Sequence, residues 1–105
     1  MKVKEIVYTG ITATGDAVAD SDPINKPTGV VGVLGAVLVD FGSGTFSFTL
    51  VDGAGVDLLG GTGVGLTADT VLTASDHGSP TVRGDLVLNV SAEGGTNDVH
   101  VRIEH

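Results

Sequence analysis

Three histidines, a scatter of serines and thirteen carboxylates are the side chains in this sequence that could do chemistry. A metal centre needs ligands at close spacing, and His77, His100 and His105 offer no i, i+2 or i, i+4 pair. Asp16, Asp20 and Asp22 in "GDAVADSD" could give oxygens to a calcium ion. The glycine and later glutamate of a calcium loop do not follow them, so they read as a solvated acidic loop. Ser43, Ser47, Ser75, Ser79 and Ser91 carry hydroxyls, yet no G-x-S-x-G elbow is present to activate one. "GGTGVGLT", Gly60 to Thr67, has the glycines of a phosphate loop but places Leu66 where the lysine must stand, and no helix follows it. It reads as a flexible connection or a sheet corner. Paired carboxylates for glycoside chemistry meet only in space, and a thin glycine-rich fold leaves little room for a cleft. The expectation is a protein without catalytic residues, metal or cofactor.

Arg83-Gly84-Asp85 spells the tripeptide that integrins read. Adhesion ligands present it at the tip of a flexible loop, whereas here Leu86, Leu88 and Val90 follow it in strict alternation. The expectation is a strand, Thr81 to Ser91, with Arg83 and Asp85 on its outer face and Gly84 pointing inward or marking a bulge.

The elements that must position these residues are strands. Lys2 to Thr9 places Ile6 and Tyr8 on one side and Val3 and Val7 on the other. Thr45 to Val51 sets Phe46, Phe48 and Leu50 against Thr45, Ser47 and Thr49. Asp98 to Glu104 turns Val99, Val101 and Ile103 inward and His100, Arg102 and Glu104 to water. The last two strands are expected to form a hairpin turning at "AEGGT". "DFGSG" and "VDGAG" supply the glycine and aspartate of tight hairpin turns, and "ASDHGSP" a longer turn. Asp40, Asp52 and Asp76 therefore read as turn residues bonded to nearby amides. No amphipathic helix is expected.

Two stretches depart from alternation. Val30 to Val39, "VVGVLGAVLV", is apolar on both sides, and its second face calls for a cover. Either a loop of the same chain or a second subunit must lie over that face, and a chain with 17 glycines, one tyrosine, three phenylalanines and no tryptophan has so little bulk of its own that the subunit is at least as well placed to do so. Gly10 to Thr28 reads as one short strand and then an exposed excursion, of the kind that makes contacts.

Composition narrows the partners. At 105 residues one domain is expected, burying roughly 60–70% of its unfolded surface. A formal charge of -8 repels phosphate backbones, so nucleic acid is excluded. Zero cysteine removes disulfides and thiolate chemistry. Glu5 interrupts the apolar core that an export signal would need, and the longest apolar run is about half of a membrane helix.

"GTFSFTLVDGAG", "LTADTVLTASDHGSPTVRGDLVLNVSAEGG" and "DVHVRIEH" together resemble small proteins from the head-gene clusters of tailed bacteriophages, which carry a P-x-V-R-G-x-L strand and end on V-x-V-x-I. The likeness runs from about Thr45 to the C-terminus. It implies a decoration or cement protein on the capsid exterior, assembled in the bacterial cytoplasm, commonly trimeric, with the major capsid protein as partner. Several such families dock through a long N-terminal arm, whereas this chain begins almost at once on a strand.

The expectation is therefore an all-β antiparallel sandwich or jelly-roll-like barrel of about eight short strands, in one domain, 1–105, with 10–28 an extended contact segment. Val30, Val31, Val33, Ala36, Val37 and Val39 are the expected self-interface. Lys2, Lys4, Ile24, Asn25 and Lys26 are the expected capsid-docking set. The alternative is a carbohydrate-binding or other ligand-binding β-module on a fibre, spike or tail, for which only Tyr8 offers a ring to stack on a sugar.

Overall fold

A computed structural model describes residues 2–12, 24–52, 55–94 and 96–105. The chain is an all-β sandwich of two antiparallel sheets. Its strands are β1 (Val3–Thr12), β2 (Ile24–Pro27), β3 (Gly32–Asp40), β4 (Ser43–Val51), β5 (Thr70–Leu72), β6 (Thr81–Val82), β7 (Asp85–Gly94) and β8 (Thr96–Glu104). A single helical turn, α1 (Ala74–His77), lies between β5 and β6. One sheet runs β1-β8-β3-β5, with β6 also on β3; the other runs β2-β7-β4.

The alternation read from sequence is what fills the space between them. Ile6 and Tyr8 on β1, Phe46, Phe48 and Leu50 on β4, Leu86, Leu88 and Val90 on β7, and Val99, Val101 and Ile103 on β8 are all buried. Phe46 and Phe48 stack at 5.0 Å between centroids. Each such aliphatic or aromatic side chain contributes about 1.5–3 kcal/mol on burial, so the few large residues carry most of the core.

Several turns join sheets instead of closing hairpins. β7 and β8 do not pair with each other, because β7 lies between β2 and β4 and β8 lies between β1 and β3. The expected C-terminal hairpin is thus a crossing between sheets. "DFGSG" is another, since it links β3 in one sheet to β4 in the other. It is held by side chains from elsewhere: Phe41 donates its N–H to Asp69 Oδ1 at 2.8 Å, and Gly42 donates to Asn97 Oδ1 at 2.8 Å. Asn97 is fully buried, and the corner is what it serves. "VDGAG" does turn tightly, with Gly55 at φ +80 donating to the Asp52 carbonyl and Val51 bridged to Asp57.

The expected strand Thr81 to Ser91 divides at Arg83 and Gly84. Thr81 and Val82 pair with β3, while Asp85 onward pairs with β2 and β4. Gly84, at φ +70, makes the change of sheet, and its carbonyl accepts both the N–H of Thr28 at 3.1 Å and the Thr28 hydroxyl at 2.7 Å. Side-chain alternation survives the break, which is why Val82 and Leu86 both point inward.

"ASDHGSP" contains α1 in place of a plain turn. The Asp76 carboxylate accepts the N–H of Thr73 at 2.9 Å and Gly78, at φ +74, ends the turn. Ser47, expected on a wet face, is buried because residues 63–66 run beside β4: Gly65 donates to Ser47 Oγ at 2.8 Å. Of the segment 10–28, Gly10 to Thr12 continue β1 and Ile24 to Pro27 form β2. Asp16, Asp20 and Asp22 lie outside the described residues.

Candidate functional site

β3 is central in its sheet, and a bulge explains its two-sided apolarity. Its register against β8 shifts between Leu34 and Val37. One extra residue in a strand moves everything beyond it to the opposite parity, so Leu34, Val37 and Val39 all face the core, with exposures of 0%, 0% and 3%. Val37 and Val39 are therefore taken up by the chain's own interior. Val30 is half-buried and packs on the same core. Val31 and Val33 are exposed, and Ala36 is half-buried.

Cross-strand pairing then writes out the outer face of the five-stranded sheet. Val3 and Val33 flank Glu104, Glu5 sits opposite Arg102, and Leu38 pairs with both His100 and Val71. Val7 pairs with the other side of His100. Polar side chains run down the middle strand, and apolar side chains line its two neighbours except at Glu5 on β1.

On that face the Glu5 carboxylate lies 3.7 Å from His100 Nδ1 and 3.5 Å from Arg102 Nε. All three side chains are between 37% and 48% exposed, so water screens the pairs and each contributes at most about 1 kcal/mol. Beside them is an open groove of about 350 Å³ whose lining includes Leu38, Val71, Asp40, Asp69, His100 and Arg102. The geometry is that of one exposed ion pair, Glu5 with Arg102, with the His100 ring beside it on an open sheet. Among the described residues no group of three or more His, Cys, Asp or Glu could hold a metal ion.

His77 is engaged elsewhere. Its Nδ1 accepts the N–H of Ser79 at 3.0 Å, which leaves Nε2 to donate to the Gly35 carbonyl at 2.8 Å. It thereby pins α1 to the bulge of β3. His105 closes the β1–β8 pairing through two backbone bonds with Lys2, both 2.9 Å.

The expected docking residues fall on one flank. Lys2 and Lys4 are at the start of β1, the outermost strand of one sheet, and Ile24, Asn25 and Lys26 are on β2, the outermost strand of the other. The two strands meet there: Lys26 Nζ lies 5.7 Å from the centroid of the Tyr8 ring, and the Tyr8 hydroxyl crosses to the Leu86 carbonyl of β7 at 2.7 Å. Asn25 Nδ2 reaches Asp85 Oδ2 at 3.2 Å. Burial pushes the Tyr8 hydroxyl well above its ordinary range, so it stays protonated and donates. The ring itself is fully buried and offers no platform for a sugar. Sequence reasoning placed Lys4 and Lys26 in one set without a signal that β1 and β2 lie on the same flank, since they belong to different sheets.

Arg83, Gly84 and Asp85 are exposed at the corner between sheets. Of the three, Gly84 lines a second hollow, of about 300 Å³, together with Thr28, Gly29, Val30 and Val31. The tripeptide is pinned through the Gly84 carbonyl and the Asp85 carboxylate, not mounted on a free loop.

Comparison with protein-family models, with curated proteins and with solved structures finds no match to this chain in any of the three.

Proposed function

We propose that this chain is a non-enzymatic structural protein of a tailed-phage head, a decoration or cement protein that self-associates and bridges neighbouring capsid subunits. The observation that carries the reading is the outer face of the five-stranded sheet, where Val3, Val33 and Val71 stand exposed beside half-buried Val7, Ala36 and Leu38. These apolar side chains stand on both sides of the polar row Glu104, Arg102 and His100 of β8, and exposed apolar surface bordered by polar residues marks a contact surface. Val31, Val33 and Ala36 supply the self-contact, a trimer being the favoured assembly. Lys2, Lys4, Asn25 and Lys26 supply the docking edge toward the major capsid protein. The resemblance of the stretches from about Thr45 onward to phage head proteins supports the same reading.

The test is uptake. Purified protein mixed with undecorated heads co-sediments with them in a fixed ratio to capsid subunits, and light scattering of the free protein gives a mass above that of one chain. Heads that take up none of it, or a free protein that stays monomeric at all concentrations, overturn the proposal.

A further inference from the structure

A sandwich has four sheet edges, and three of them here are guarded. β4 is covered by residues 63–66, with Phe46 and Leu66 exchanging bonds of 2.8 and 2.9 Å and Phe48 donating to the Gly63 carbonyl at 2.9 Å. The far side of β3 is covered by β5 and β6, strands of three and two residues. β2 has four residues and ends on Pro27. Short strands and proline are how sheet edges are kept from pairing with other chains. β1, ten residues long, pairs only with β8 among the described residues.

The groups it leaves open are identifiable. Lys2 and His105 exchange both backbone bonds, and in an antiparallel ladder bonded and non-bonded pairs alternate. Lys4, Ile6 and Tyr8 therefore bond β8, and the N–H and C=O of Val3, Glu5 and Val7 point away from it. Six main-chain groups in register are a template for an added strand.

Charge selects the occupant. The chain carries -8 overall, yet three of its five Lys and Arg residues, Lys2, Lys4 and Lys26, lie on the flank formed by β1 and β2. A second copy added antiparallel and centred on Val3 would set Lys2 of each chain against Lys4 of the other, and centred on Glu5 would set Glu5 against Glu5; like charges opposed across strands repel. An acidic strand would meet the lysines instead.

We propose that the open edge of β1 takes up an extended acidic segment of another protein by strand addition. The segment alternates. Its carboxylates fall on the side of Lys4 and Lys26, and its apolar side chains fall beside Val3 and Val7 on the outer face. The proposal rests on the reading of the chain as a docking module and supplies the chemistry of the partner.

A terminally blocked seven-residue peptide of alternating Val and Glu, and its Val and Lys counterpart, test it on the whole chain. The Val–Glu peptide slows amide exchange at Val3, Glu5 and Val7 at least tenfold, and the Val–Lys peptide leaves it unchanged. Added salt weakens the effect. The exposed-site variant Lys4→Glu, alone or with Lys26→Glu, reverses the preference between the two peptides. Equal effects of both peptides, no effect of either at millimolar concentration, protection at another edge, or dimerisation of the chain through β1 overturns the proposal. Head uptake is read separately: heads that bind the protein while neither peptide protects β1 refute the acidic strand and leave head docking standing.

Discussion

The Tyr8 hydroxyl of β1 donates a 2.7 Å hydrogen bond to the Leu86 carbonyl of β7, joining the two sheets across 78 positions of sequence. It is a buried bond at the flank where β1 and β2 meet. Tyr8→Phe keeps the ring and leaves that carbonyl without its donor. A cost of about 1–3 kcal/mol is expected, read as a lower urea midpoint with an unchanged slope.

The same group is expected to make stability fall at alkaline pH. Burial raises the Tyr8 ionisation in the folded chain, whereas in the unfolded chain it ionises near pH 10. A raised folded value means that the stabilisation is complete below about pH 10 and is lost as pH rises above it toward the folded value. Urea midpoints measured from pH 8 to 11 fall above pH 10 in the parent and fall less in Tyr8→Phe. Parallel curves for the two would exclude Tyr8 as the cause.

Two glycines close in sequence separate space from conformation. A Cβ on Gly32 would overlap the Glu104 carbonyl oxygen of the neighbouring strand, whereas Gly29, at φ +70, has open space where its Cβ would go. Gly29→Ala meets only the left-handed penalty of about 1–2 kcal/mol. Gly32→Ala must push β3 from β8 and is expected to cost more, with amide protection lost first at Val33 and Glu104, which pair there.

Asp57 holds the turn after β4 in one piece. Its Oδ1 accepts the N–H groups of Leu50 and Leu59 at 3.2 and 3.1 Å, and its Oδ2 accepts Gly61 at 2.9 Å. Asp57→Ala leaves three donors to find other partners, and a loss of about 2–3 kcal/mol follows. Because this turn leads residues 63–66 back along β4, the variant also opens that edge. Faster aggregation than in Tyr8→Phe at matched stability is the signature to look for.

Alternation made the inward faces of β4, β7 and β8 legible, because a single apolar face recurs every second residue. Connectivity was not legible in the same way. Gly95 and its neighbours, or Gly42 and Gly44, carry the composition of a turn whether the chain returns in its own sheet or crosses to the other; only the partners of β7 and β8 decide it. The bulge between Leu34 and Val37 hid the true faces of β3, since a sequence pattern cannot show where the parity changes. Asp57 was missed for a related reason: its three acceptor bonds depend on the path of a glycine-rich turn. The basic flank was half legible. Lys2 and Lys4 are neighbours by sequence, but the contact of Lys26 with Tyr8 exists only because β1 and β2 end their sheets on the same side.

Val33 allows the outer face to be tested without disturbing the core. It is 38% exposed and pairs with Glu104 of β8. Val33→Asp sets two carboxylates opposite each other, a repulsion of less than about 1 kcal/mol on an exposed sheet, so the sandwich stays folded. A charge in the middle of an apolar contact is far more costly to a partner than to the lone chain. Light scattering is therefore expected to show the variant as single chains, with unfolding near that of the parent. Val37→Asp, by contrast, buries its charge in the interior and unfolds the chain. If Val33→Asp leaves the oligomer intact, the outer face of β3 is not the seam between copies, and self-association must run through another surface.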